Sequence, residues 1–261
     1  MVGDKTDLAD LCDLQGRICL ITGGAGYIGQ AMTKIYLQAG ARVILLDLGF
    51  DEAPEEGVTH FVCDLTDAEA VEATLAKVLQ IAPAIDVVVH NAAFVGTSGG
   101  PGWSVPFESQ SLDLFKGALD INLTAPFSIT QKLTPALKAS GRGSVIMVGS
   151  IYGLVGPDWS LYSDTGIGNP AGYAASKGGL MQLTRWLSTT LAPDIRVNAF
   201  APGGVVRGQD AEFQKRYVAR TPLGRMASPE DFQGVALFLA SDMSAYMTGQ
   251  VIYVDGGWTA W

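Results

Sequence analysis

Arg17-Ile-Cys-Leu-Ile-Thr-Gly-Gly-Ala-Gly-Tyr-Ile-Gly29 opens on an apolar run and closes on four glycines. A run that is apolar on both faces of a strand belongs in a parallel sheet covered on both sides. A helical pattern follows from Ile28 to Gln38 and stops at Gly40. The turn Gly24-x-Gly26-x-x-Gly29 therefore lies between a strand and a helix. There one glycine permits the sharp turn, one lets backbone N–H groups approach a pyrophosphate, and one lets helix and strand pack closely. The helix N-terminus adds its partial positive charge. Arg42 to Asp47 reads as a second strand ending on a carboxylate 23 positions after Gly24 (47 − 24). That is where a dinucleotide site places its acidic ribose partner, so Gly23, Gly24, Gly26, Tyr27, Ile28, Gly29 and Asp47 are the first candidate cofactor-binding residues.

The same alternation continues along the chain. Strands are expected at 58–64, 85–90, 143–149, 194–200 and 250–255, and helices at 67–80, 112–138, 171–191 and 229–240. Alternating strand and helix, with no repeat and no linker, means a doubly wound parallel α/β sheet of about seven strands with helices on both faces. Residues 1–261 are expected to form one domain, with 1–13 as a loose lead-in.

Composition narrows the function. Of the 261 residues 48% are hydrophobic and 16% charged, so a large core is easily buried. A net charge of −9 without any basic block argues against nucleic acid and anionic membrane partners. No apolar run reaches the roughly 18 residues that span a bilayer. Residues 1–13 are acidic and lack the apolar core of a signal peptide. Cys12, Cys19 and Cys63 show no metal spacing, and they read as small buried thiols of a reduced, cytoplasmic protein.

Tyr173-Ala-Ala-Ser-Lys177 opens the helix expected at 171–191, and its phenol and ammonium fall on one face at i and i+4. A free phenol titrates near 10 and is a poor base at neutral pH. A cation about 5 Å away, at an effective dielectric near 20, contributes roughly 3 kcal/mol and lowers the phenol by about two pH units. Ser150 ends the strand just upstream.

Taken in order, Thr22-Gly23 with its glycines, Asp64-Leu65, Asn91-Ala92-Ala93, Asn122, Ser150, Tyr173-x-x-x-Lys177, Pro202-Gly203 and Thr248 to Gly257 make the chain resemble the short-chain dehydrogenase/reductase family, short single-domain branch. The resemblance implies a Rossmann-type fold and interconversion of a secondary alcohol and a ketone by hydride transfer. It implies Tyr173 as acid/base, Lys177 as its tuner and ribose ligand, Ser150 as holder of the substrate oxygen, and Asn122 as holder of a relay water. Asp64 and Leu65 would line the adenine pocket. Asn91, Ala92 and Ala93 would meet the ribose, and Pro202, Gly203 and Val205 would flank the nicotinamide. In related enzymes the helices at 112–138 and 171–191 pack between subunits, which implies a homotetramer or homodimer.

Four positions depart from the family pattern, among them His90 and Ala93, which replace a more usual Asn and Gly. Tyr27 stands where the short branch usually has Gly, and Arg207 stands where a Thr often contacts the cofactor. The glycine spacing looks more like that of sugar-nucleotide epimerases and dehydratases, and a non-catalytic NAD-binding regulator is a further alternative. Only 84 residues follow Lys177 (261 − 177), and Tyr173 and Lys177 are both present, so an NAD-dependent dehydrogenase is expected. NAD rather than NADP follows from Asp47 and from the neutral or acidic Leu48-Gly-Phe-Asp-Glu52 after it. No metal site is expected. The stretch 156–170 is about ten residues longer than the family commonly has between Ser150 and Tyr173. It offers Asp158, Ser160, Tyr162, Ser163, Asp164 and Asn169, with Trp159 as a flat platform, which favours a sugar- or polyol-like substrate.

Overall fold

The computed structural model describes residues 7–95, 99–165 and 168–261. Its strands are β1 (Ile18–Thr22), β2 (Arg42–Asp47), β3 (Val58–Val62), β4 (Val87–His90), β5 (Gly143–Val148), β6 (Ile195–Pro202) and β7 (Val251–Val254). They form one sheet in the order β3-β2-β1-β4-β5-β6-β7. Every pairing is parallel, as the apolar strand runs require.

Alternate residues of each strand face opposite sides. Leu20, Ile44, Leu46, Val88, Val145 and Met147 point to one face, under helices α3 (Ala68–Ile81), α5 (Ala125–Ala139) and α6 (Ala171–Leu191). Cys19, Ile21, Val43, Leu45, Val89 and Ile146 point to the other, under α2 (Tyr27–Gln38) and α8 (Gln233–Ala240). Cys19 and Cys63 are buried among these apolar side chains and their thiols are free.

Four expectations change. The lead-in contains a short helix, α1 (Leu8–Cys12), because Asp7 accepts the Ala9 N–H at its start; residues 1–6 lie outside the described residues. The helix expected at 112–138 is α4 (Leu112–Leu119), a π turn at Asp120–Thr124, and then α5. Pro126 has no N–H to aim at the Asn122 carbonyl, and the turn loosens so that the Ala125 N–H meets Asp120 O. The helix at 229–240 begins as a 3-10 turn, Pro229–Phe232. Finally, α7 (Ala211–Arg220) fills a stretch that reads only as polar. Asp210 caps it, and Phe213 and Tyr217, four apart, bury its one apolar stripe.

Strand order reverses between β1 and β4. Loops leave opposite sides of the sheet there, and a crevice opens beyond the carboxyl ends of the strands.

Candidate active site

The glycine turn after β1 is shaped by close backbone approaches. Gly23 has φ +67°, and a Cβ on it would stand 2.6 Å from the Ala92 Cα. A Cβ on Gly29 would stand 2.3 Å from the Gly23 carbonyl oxygen. Thr22 Oγ1 accepts the N–H groups of Asn91 and Ala92, each at 3.2 Å, and Asn91 Nδ2 donates to Gly23 O at 2.7 Å. Those bonds clamp the end of β4 to the turn. Asp47 extends the clamp: one carboxylate oxygen accepts the Ala25 N–H at 2.9 Å and the other the Leu48 N–H at 2.7 Å.

These elements wall one end of a cavity of about 1110 Å³. Gly23, Gly26, Tyr27, Ile28, Asp47, Asp64, Leu65, Asn91, Ala92, Ala93, Pro202, Gly203 and Val205 line it, as do Ser150, Tyr173 and Lys177. Gly24 and Gly29 do not. Gly24 backs onto the Leu45 side chain and Gly29 onto the turn itself, so both shape the site from behind. Asp64 is not a helix cap; its carboxylate accepts the Thr66 N–H and hydroxyl, and Asp67 caps α3. The Thr66 bonds hold the Asp64 carboxyl below its ordinary range.

The other end holds the reactive side chains. Lys177 is buried and donates to the carbonyl of Val148, the last residue of β5, at 2.7 Å. Its nitrogen lies 5.8 Å from the centre of the Tyr173 ring. Ser150 Oγ accepts the Tyr152 N–H at 3.2 Å, and its hydroxyl is near enough to favour the ionised form of the Tyr173 phenol. Here the electrostatics differ from the sequence expectation. Burial pushes the Lys177 ammonium down to about 7. Burial also pushes the Tyr173 phenol above its usual range, against the Ser150 hydroxyl and the Arg207 charge. A desolvated amine loses its proton before it can lower a neighbour. The charge that pulls the phenol back down is that of Arg207.

Asn122 does not line the cavity; Ile121 does. The Asn122 side chain accepts the Phe94 N–H at 2.7 Å and donates to Phe94 O at 3.1 Å and Ser176 Oγ at 2.9 Å. It ties the loop after β4 to α6 through the π turn.

The 156–170 stretch is mostly turned away from the cavity. Asp158 pairs with Arg220, and Arg216 donates to the carbonyls of Ser160 and Ser163, so the stretch is laced to α7. Trp159 is exposed outside the cavity. Tyr162, Gly168, Asn169 and Pro170 do line it, with Tyr162 OH 2.6 Å from Tyr152 OH; residues 166 and 167 lie outside the described residues. Phe213, Tyr217, Tyr152 and Met226 complete that wall, and only the i, i+4 aromatic pair of α7 signals any of them in sequence. His90 and His60 take no part. His90 is buried against Thr130, and His60 stacks on Phe50. Among the described residues no group of three or more His, Cys, Asp or Glu could hold a metal, and no helix is long and apolar enough to cross a membrane.

Comparison with known proteins agrees with this arrangement. The family model described as Enoyl-(Acyl carrier protein) reductase matches residues 23–259. The chain is 34% identical over 258 residues to the 3-oxoacyl-(acyl-carrier-protein) reductase FabG of Thermotoga maritima, covering 94% of this chain and 98% of the other. A short-chain dehydrogenase of Leptospira borgpetersenii serovar Hardjo-bovis, solved with bound NAD+, is 31% identical with a TM-score of 0.86, covering 97% and 96%. A gluconate 5-dehydrogenase of Burkholderia cenocepacia, solved with NADP and tartrate, is 27% identical with a TM-score of 0.82, covering 98% and 100%. The fold and the cavity are those of a dinucleotide-linked oxidoreductase. The chain belongs to the short-chain dehydrogenase/reductase family.

Proposed function

We propose that residues 1–261 form one catalytic domain that interconverts a secondary alcohol and a ketone with NAD, acting on a sugar- or polyol-like substrate. The observation that carries the reading is the meeting of Ser150, Tyr173 and Lys177 on one wall of the cavity whose far end is the Asp47-clamped glycine turn. The residues present fit a dinucleotide. Gly26 leaves the turn open at the helix N-terminus, and each Asp47 oxygen keeps a lone pair for a ribose hydroxyl. The bound nicotinamide supplies the hydride acceptor or donor.

Ser150 orients the substrate oxygen and Tyr173 exchanges the proton at that oxygen. Lys177, fixed by Val148, holds ribose hydroxyls and returns charge to the phenol once a ligand stabilises its protonated form. Asn122 positions rather than reacts, by tying the cavity-lining Phe94 to Ser176 of α6.

Tyr152, Tyr162 and Asn169 support the substrate class, because they give the wall beside Ser150 hydroxyl and amide groups amid aromatic surface. The test is NADH formation at 340 nm with polyols, sugars, sugar acids, sterols and hydroxy acids, and NADH consumption with a 3-oxoacyl thioester. Turnover of polyols or sugars supports the reading. Turnover of sterols or thioesters alone overturns the substrate class. A cytoplasmic homotetramer or homodimer completes the proposal, with the oligomer checked by light scattering.

A further inference from the structure

Two of the positions at which this chain departs from the family pattern, Tyr27 and Arg207, meet in space. Arg207 lies 180 positions after Tyr27 (207 − 27), yet its guanidinium carbon stands 5.9 Å from the centre of the Tyr27 ring. Both side chains line the cavity. Tyr27 is the first residue of α2, and its ring is 63% exposed at the mouth of the glycine turn. We propose that Arg207 and Tyr27 form a clasp over the glycine turn that binds the diphosphate of the dinucleotide. The proposal rests on the reading of the cavity as a dinucleotide site.

Charge favours that occupant. The cavity is lined by three carboxylates, Asp47, Asp64 and Asp210, and by two basic side chains, Lys177, which burial holds down to about 7, and Arg207. Lys177 is committed to Val148 O. The glycine turn carries no basic residue, and a helix N-terminus offers only about half a positive charge. Two diphosphate charges therefore need Arg207. Its backbone is set for the task. Gly208 turns with φ +74°, Gln209 Oε1 accepts the Arg207 N–H at 2.7 Å, and Gln209 Nε2 donates to Val205 O at 2.6 Å.

The guanidinium itself makes no ion pair among the described residues. One oxygen of the Asp210 carboxylate accepts the Glu212 and Phe213 N–H groups as the cap of α7. A planar guanidinium can meet phosphate oxygens with two parallel donors while its face rests on an aromatic ring. A substrate carboxylate is the other anion that Arg207 could meet. Its seat on Tyr27, above the glycine turn, places it at the diphosphate end.

The test is calorimetric binding of NAD+, ADP and adenosine to wild type, Arg207→Thr, Arg207→Lys, Tyr27→Ala and the Arg207→Thr/Tyr27→Ala pair, at low and high salt. Expected for Arg207→Thr is a Kd about 10- to 100-fold weaker for NAD+ and ADP, with adenosine unchanged and a shallower salt dependence. Arg207→Lys recovers part of the loss. Tyr27→Ala weakens ADP a few-fold, and the double variant loses less than the product of the two, as contacting residues should. Unchanged ADP affinity in Arg207→Thr, equal losses for ADP and adenosine, or an effect confined to the KM of a carboxylate substrate would each overturn the clasp. A wild type that binds neither ADP nor NAD+ overturns the dinucleotide reading as well.

Discussion

Lys177 hydrogen-bonds the carbonyl of Val148 at 2.7 Å, so the candidate catalytic amine also ties helix α6 to the end of β5. Burial holds that amine at about 7, below its ordinary 10.5. Between those values the unfolded chain keeps a proton that the native protein gives up, so native stability rises with pH across the window. The slope reaches up to about 1.4 kcal/mol per pH unit. Lys177→Met should remove this slope while weakening NAD+ binding and turnover together. Denaturant midpoints at pH 6, 8 and 9.5, with NAD+ calorimetry, check this. A variant that keeps the wild-type slope would show that Lys177 is not the group that titrates.

Tyr173→Phe should keep the fold and NAD+ affinity and lose about 10²- to 10⁴-fold in kcat, the usual contribution of a positioned acid/base. Burial places the phenol above its usual range, with Ser150 and then Arg207 pulling the other way. At saturating NAD+ the pH profile of alcohol oxidation should rise below 10. Arg207→Thr removes a cation, raises the phenol pKa, and so moves that rise to higher pH. A rise at the same pH in both proteins would deny Arg207 any effect on the phenol.

Much of this was legible because strand runs and glycine turns are local signals. The strands of the parallel sheet follow from short apolar stretches, most of which are buried, while the cavity residues at 64–65, 91–93 and 202–205 are those the family resemblance implies. What sequence could not show is tertiary. The π turn depends on where Pro126 falls relative to Asn122. Helix α7 owes its place to Phe213 and Tyr217 packing on Trp258 and Leu161. The polar side chains of 156–165 look like ligands in sequence, and α7 draws several of them away from the cavity. Spacing reveals the nearness of Lys177 to Tyr173 and not the cost of burying both.

His90 is buried with its ring held to Thr130 at 2.8 Å, and burial pushes it down to about 3. Between pH 3 and its ordinary 6.5 the unfolded chain binds a proton that native His90 refuses. Stability from this group is complete above 6.5 and is lost as pH falls towards 3, by roughly 1.4 kcal/mol per pH unit at most. Replacing His90 by Asn, which cannot titrate, should flatten the acid limb of the stability curve between pH 4 and 6.5. Urea midpoints at several pH values decide it, and an unchanged limb assigns the effect to other groups.

Asn122→Ala leaves the Phe94 N–H and carbonyl and the Ser176 hydroxyl each short of a partner. Each such loss costs about 1–3 kcal/mol where water cannot reach. Expected is a fall in the thermal midpoint of several degrees together with a fall in kcat, because Phe94 lines the cavity. Loss of NAD+ binding with stability intact would instead place Asn122 in direct contact with the cofactor.

The proposal of NAD rather than NADP rests on Asp47. Its carboxylate is fixed to the Ala25 and Leu48 N–H groups and faces the cavity, so it cannot swing away from a 2′-phosphate. Two like charges about 4 Å apart repel by about 4 kcal/mol at a dielectric near 20, which amounts to several hundredfold in affinity. The residues just after it, Leu48 to Glu52, include no cation to offset that repulsion. Wild type should therefore prefer NAD+ in kcat/KM by at least a hundredfold. Asp47→Ala loses the Ala25 bond as well, so NAD+ efficiency falls and NADP+ efficiency rises relative to it. Asp47→Asn keeps an acceptor for one N–H and should show the same direction with less damage to the turn. Comparing kcat/KM for the two cofactors on one substrate, in all three proteins, settles the point. Equal efficiencies in wild type, or a ratio that stays fixed when the charge is removed, would refute the role of Asp47.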